Sequence, residues 1–186
     1  YYLDKSSTKT ESNNFAAIKN ISVQSWDMLQ LNNKLLAATN DGVFEINNNS
    51  AAIIDYNYRY TYCFCKSNDD PSVIYVGMNN GIAVLKNENE KLKFLGTISN
   101  FNTGVTSIEQ DEKGTLWCND VSGKIIALKT PEDKNDLTGY KKLNNTNSTK
   151  IDIKAKLFKY LNKIYFYDDK KVFEYNYEDN KFIAST

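Results

Sequence analysis

Short apolar runs alternate with polar ones along the whole chain, and one two-strand phrase returns four times. It reads LLAATNDGVFEIN at 35–47, VIYVGMNNGIAVLK at 73–86, TLWCNDVSGKIIALK at 115–129 and KIYFYDDKKVFEYN at 163–176. Each copy is an apolar run, a tight polar turn, and a second run alternating apolar with polar, the period-two signature of a strand. The residues that close the turns are Gly42, Gly81, Gly123 and Lys171. Their spacing of roughly forty residues is the period of a blade array built from strands alone.

Further strand-like runs flank each phrase. Before it stand 22–31, 58–65, 105–111 and 151–161; after it stand 50–55, 91–98, 138–144 and 180–186. Four strands per repeat is the content of a propeller blade. No window sustains apolar positions at i, i+3, i+4 and i+7, so no helix is expected. The pattern predicts an all-β chain: a β-propeller of four four-stranded blades (21–55, 56–98, 99–144, 145–186) preceded by a part-blade at 1–20. Asn40-Asp41-Gly42 and Asn79-Asn80-Gly81 predict two-residue primed turns, which need positive φ. Asp168-Asp169-Lys170-Lys171 lacks glycine and predicts the least regular blade.

Four blades and a part make an awkward closed ring. The simplest expectation is a piece of a larger propeller, with a closed four-bladed ring using residues 1–20 as the competing arrangement. An open array would expose an apolar blade face at each end, which favours association. A homodimer through those faces, or covering by the remainder of a parent propeller and receptor, is therefore expected.

Composition removes several partners. The 23 basic and 23 acidic residues cancel, so there is no electrostatic footprint for nucleic acid or an anionic membrane. No stretch resembles a signal peptide or membrane span, so the chain reads as cytoplasmic or as an already processed exported piece. Cys63, Cys65 and Cys118 lack disulfide or metal spacing and read as small buried hydrophobes. The chain has no histidine, which excludes histidine-based catalysis and a phosphoacceptor histidine.

The third repeat, VTSIEQDEKGTLWCNDVSGKIIALK, resembles the two-component regulator propeller repeat: an apolar strand, Asp-x-x-Gly-x-Leu-Trp, then a Gly-led strand. Asp111, Gly114, Leu116, Trp117 and Gly123 occupy those positions. The second copy keeps Asp69, Ile74-Tyr75-Val76-Gly77 and Gly81; the first keeps Gly42; the fourth loses the glycines. The resemblance implies the periplasmic sensor region of a Bacteroides-type hybrid histidine kinase, the extracytoplasmic part of an inner-membrane protein, responding to a poly- or oligosaccharide. Any kinase activity would lie outside this sequence. The alternatives left open are a non-catalytic protein-interaction or glycan-binding propeller unrelated to signalling, and a secreted hydrolase fragment.

Little else could carry chemistry. There is no phosphate-binding glycine loop, nucleophile elbow or metal-ligand spacing, so catalytic residues, metal and cofactor are all expected to be none. Asp111, Gly114 and Trp117 read as turn-former, turn and inter-blade packing. The candidate ligand-binding residues are Tyr58, Arg59 and Tyr60, where one blade crosses to the next, and Asn102 in the following crossing. Tyrosine faces stack on sugar rings, and Arg59, the chain's single arginine, has the fork that holds a carboxylate or sulfate. Alternating strand-edge tyrosines covered by Arg59 would give the same sequence.

Overall fold

The structure is a computed structural model describing residues 2–3, 15–54, 59–143, 156–167 and 170–185. Four antiparallel four-stranded sheets follow one another in chain order. The first holds β3 (Ser25–Leu31), β4 (Lys34–Thr39), β5 (Gly42–Asn47) and β6 (Ser50–Ile53). The second holds β7 (Thr61–Lys66), β8 (Val73–Met78), β9 (Gly81–Glu88) and β10 (Lys91–Thr97). The third holds β11 (Val105–Gln110), β12 (Thr115–Asp120), β13 (Ile125–Lys129) and β14 (Lys141–Lys142). The fourth holds β15 (Lys156–Tyr160), β16 (Lys163–Tyr167), β17 (Val172–Asn176) and β18 (Lys181–Ala184). A two-stranded sheet pairs β1 (Tyr2–Leu3) with β2 (Phe15–Ala16). No helix forms among the described residues.

Each sheet is a simple meander, and the first strands contact one another in sequence: β3 with β7, β7 with β11, β11 with β15. This arrangement is that of propeller-like blades, with the first strand of each sheet innermost. Alternation within the strands supplies both faces of every blade. Leu36, Ala38 and Val43 pack against Phe64, Ile74, Val76 and Met78 between sheets one and two. Cys63, Cys65, Tyr75 and Val84 meet Val105, Ile108, Leu116 and Cys118 between sheets two and three. Trp117 and Ala127 meet Leu157, Ile164, Phe166 and Tyr175 between sheets three and four. The far face of sheet one is covered by residues 18–23, with Ile18 packed on Ala37, Phe44 and Ile46 and with Lys19 bridged to Ser50.

Burial follows position in the array. Every residue of β8 is buried, as it lies between two neighbours. The face of sheet four turned away from sheet three leaves Phe158, Tyr160, Tyr167 and Ile183 exposed. The three cysteines are buried and free, in one seam between sheets two and three.

The turns correct one expectation. Asn40, Asp41, Asn79 and Asn80 do not take positive φ; Gly42 and Gly81 do, at 125° and 143°. The left-handed turns sit at the opposite end of the sheets, at Asn32, Asn48, Asn89-Glu90 and Leu161-Asn162. The expected fourth strand at 138–144 shrinks to two residues, because Asp133 and Asp136 cap their own turns and Tyr140 leaves the edge for the core. The Asp168-Asp169 turn and the polar stretch 4–14 lie outside the described residues.

Candidate functional site

The end of the array that carries the β4–β5, β8–β9 and β12–β13 turns also carries the crossings between sheets. Backbone hydrogen bonds join the two. The Tyr60 N–H donates to the Asn40 carbonyl at 2.8 Å, and the Tyr60 carbonyl accepts from the Asn79 N–H at 3.0 Å. One sheet later the Val121 N–H donates to the Gly104 carbonyl at 3.0 Å. The Phe101 carbonyl lies 2.6 Å from where a Cβ would stand on Gly81, so this turn requires glycine for both space and φ.

Three of the innermost strands share a β-bulge at the same place. Ser25 faces Thr39 while Asp27 faces Ala38. Thr61 faces Met78 while Cys63 faces Gly77. Val105 faces Asp120 while Ser107 faces Asn119. The extra residues are Trp26, Tyr62 and Thr106. A bulge bends its strand and re-aims the side chain. Trp26 is 49% exposed and meets Tyr62 edge-to-face, with centroids 5.9 Å apart and an interplanar angle of 75°. Its Nε1–H donates to Asn40 Oδ1 at 2.9 Å. Asn40 thus holds the indole with its side chain and the Tyr60 crossing with its carbonyl.

Of the residues singled out from sequence, Arg59, Tyr60 and Asn102 are exposed, and Tyr58 lies outside the described residues. Tyr60 has φ of 56°, a region that costs an L-residue roughly 1–2 kcal/mol and is held there by its two backbone hydrogen bonds. Arg59 lines a groove of about 520 Å³ with Asn20, Asp41, Phe44 and residues 51–53. Asn102 is not part of that groove; it belongs to the next crossing. Trp26 and Tyr62 were missed because a bulge breaks the alternation that located the strands. Their shared place near the start of each first strand, in Ser-Trp-Asp and Thr-Tyr-Cys, is the signal that repeat alignment offers.

The opposite end is a polar lock. Asp111 is fully buried. Its Oδ1 accepts the N–H groups of Lys113 (2.9 Å) and Thr115 (2.8 Å). Its Oδ2 accepts Trp117 Nε1–H and the Tyr177 hydroxyl, both at 2.9 Å. Burial, then the Asp111 carboxylate, pushes the Tyr177 phenol well up, which keeps it a donor. Trp117 packs on Tyr175 and Phe182 of sheet four, with centroids at 4.2 and 5.8 Å. Asp111 therefore forms the turn and ties sheet three to sheet four. Nearby, Asn68 donates to the Gln110 and Asp111 carbonyls while accepting from Lys159 Nζ, which joins sheets two, three and four. Among the described residues no cluster of three or more His, Cys, Asp or Glu could hold a metal ion.

These features define an all-β, propeller-like array with an aromatic inner rim at one end. No family model matches the chain, and no curated protein matches it. Solved structures are similar in fold. The extracellular domain assigned to the hybrid two-component system BT4673 of B. thetaiotaomicron superposes with a TM-score of 0.64 at 16% identity, covering 90% of this chain and 22% of that one. A second structure of that extracellular domain, assigned to a one-component system, gives 0.62 at 18% identity, covering 87% and 21%. AztD from Citrobacter koseri gives 0.53 at 10% identity, covering 86% and 45%. The chain spans about a fifth of the length of the BT4673 domains.

Proposed function

We propose that this chain is part of the extracytoplasmic ligand-sensing propeller of a two-component regulator, periplasmic in location, non-catalytic, and responsive to a poly- or oligosaccharide. The observation that carries the reading is the fold similarity to the BT4673 extracellular domains over nearly the whole chain. The repeat pattern around Asp111, Gly114 and Trp117 adds to it, as does an exposed aromatic rim at the end of the blades. Fold does not dictate function, so the reading rests on analogy and on the rim.

The four sheets belong, in this reading, to a longer propeller. The exposed face of sheet four, where Phe158 stacks on Tyr165 at 5.4 Å, is taken by the next blade or, in the isolated chain, by a second copy. The test is transcriptional. Cells with and without the gene are exposed to individual poly- and oligosaccharides, and the mutant loses the response to one of them. An unchanged response to every saccharide would refute the sensing role.

A further inference from the structure

We propose that Trp26 and Tyr62 form a stacking platform for a neutral pyranose ring, an inference that rests on the ligand-binding reading above and narrows it. Two successive bulges present these rings on adjacent innermost strands. The chain has two tryptophans; Trp117 is 2% exposed and Trp26 is 49% exposed. The indole N–H of Trp26 is already taken by Asn40, so what it offers a ligand is its π face. The edge-to-face contact with Tyr62 fixes the orientation of that face without covering both rings.

The surroundings select the class of ligand. The turns and crossings at this end carry Asn40, Asn79, Asn80 and Asn102, and Thr106 is the bulged residue of the next first strand. Amides and hydroxyls donate and accept, as a ring of sugar hydroxyls requires. The one arginine lines a separate groove beside Asp41 on the far face of sheet one, so no guanidinium faces the platform from that groove. An apolar C–H face with hydroxyls around its edge matches this rim. A sulfated or uronic sugar does not.

The probes are cellohexaose, maltohexaose and xylohexaose, with a heparin-derived hexasaccharide as the anionic arm. Because Trp117 is buried, the change in tryptophan emission reports Trp26. A neutral hexasaccharide is expected to shift the emission saturably and protect it from acrylamide. Trp26→Ala weakens binding about tenfold or more, Trp26→Phe restores most of it, and Arg59→Ala changes it by less than about twofold. Calorimetric titration follows the Trp26 variants, and circular dichroism confirms that they fold. The proposal is overturned if Trp26→Ala binds a neutral hexasaccharide as the wild type does. It is equally overturned if only the anionic probe binds, or if no probe binds below about 10 mM. In each of these cases the transcriptional response still decides the sensing role separately.

Discussion

Asparagine at position 111 should loosen the contact between sheets three and four. All four partners of the Asp111 carboxylate are donors: two backbone N–H groups, an indole N–H and a phenol. Asparagine keeps the volume but has one oxygen and one NH₂ group, so two of those donors would meet a donor. A hydrogen bond to a charged group contributes about 1.5–3 kcal/mol, and losing two removes about 3–6 kcal/mol. Relief from burying a carboxylate offsets part of that. The expected loss is about 3 kcal/mol, or roughly 6–12 °C in Tm for a chain of this size. Tyr177→Phe removes one donor and should cost about 1.5 kcal/mol. The pair should be less than additive by about 1 kcal/mol, since the two residues share a bond. Urea unfolding followed by both Trp fluorescence and circular dichroism reads this as a lower midpoint at constant slope. If Asp111→Asn stays within about 0.5 kcal/mol of wild type, or if the two substitutions add, Asp111 does not lock the blades.

Three further outcomes follow from the same structure. Burial pushes Cys65 up to about 12 and raises Cys63 and Cys118 well above the ordinary thiol range. The folded state therefore keeps protons that unfolded thiols release above about pH 8.5, and stability falls as pH rises, by up to about 1.4 kcal/mol per pH unit for each thiol. Urea midpoints at pH 7 and pH 10 should show the drop, and Cys118→Ala should flatten it; equal midpoints would contradict the buried seam. Leu161 is 78% exposed with φ of 45°, so Leu161→Asn should raise Tm by about 2–4 °C, and a fall would show that its side chain is engaged. Phe158→Ser with Tyr160→Ser should weaken self-association in sedimentation equilibrium, whereas a wild-type chain that stays monomeric at about 100 μM would remove the idea of paired end faces.

Repeat period and alternation made the four sheets legible, because a meander places each strand beside the next and nothing distant decides the pairing. The third repeat also showed Asp111 as its turn-former and Trp117 as its inter-blade packing residue, but not the hydrogen bond that joins them. The reach of Tyr177 to the same carboxylate was not legible; it depends on how sheet four docks. Turn geometry was misread at Asn40-Asp41 and Asn79-Asn80, because packing of the crossings placed the positive φ on the following glycines. The end that carries the crossings was half legible. Tyr60 and Arg59 stand at a crossing as expected, but the aromatic pair came from bulges, which alternation hides.

The central claim is that successive sheets are fanned about one axis, the apolar core of each packed on that of its neighbours. Side-chain NOEs in the labelled chain test it most directly. The account predicts cross-peaks between Trp26 and Tyr62, between Tyr75 and Tyr140, and between Trp117 and Tyr175, the last pair 4.2 Å apart across sheets three and four. Cross-peaks joining the core of sheet one to that of sheet three, as two stacked layers would give, would contradict it.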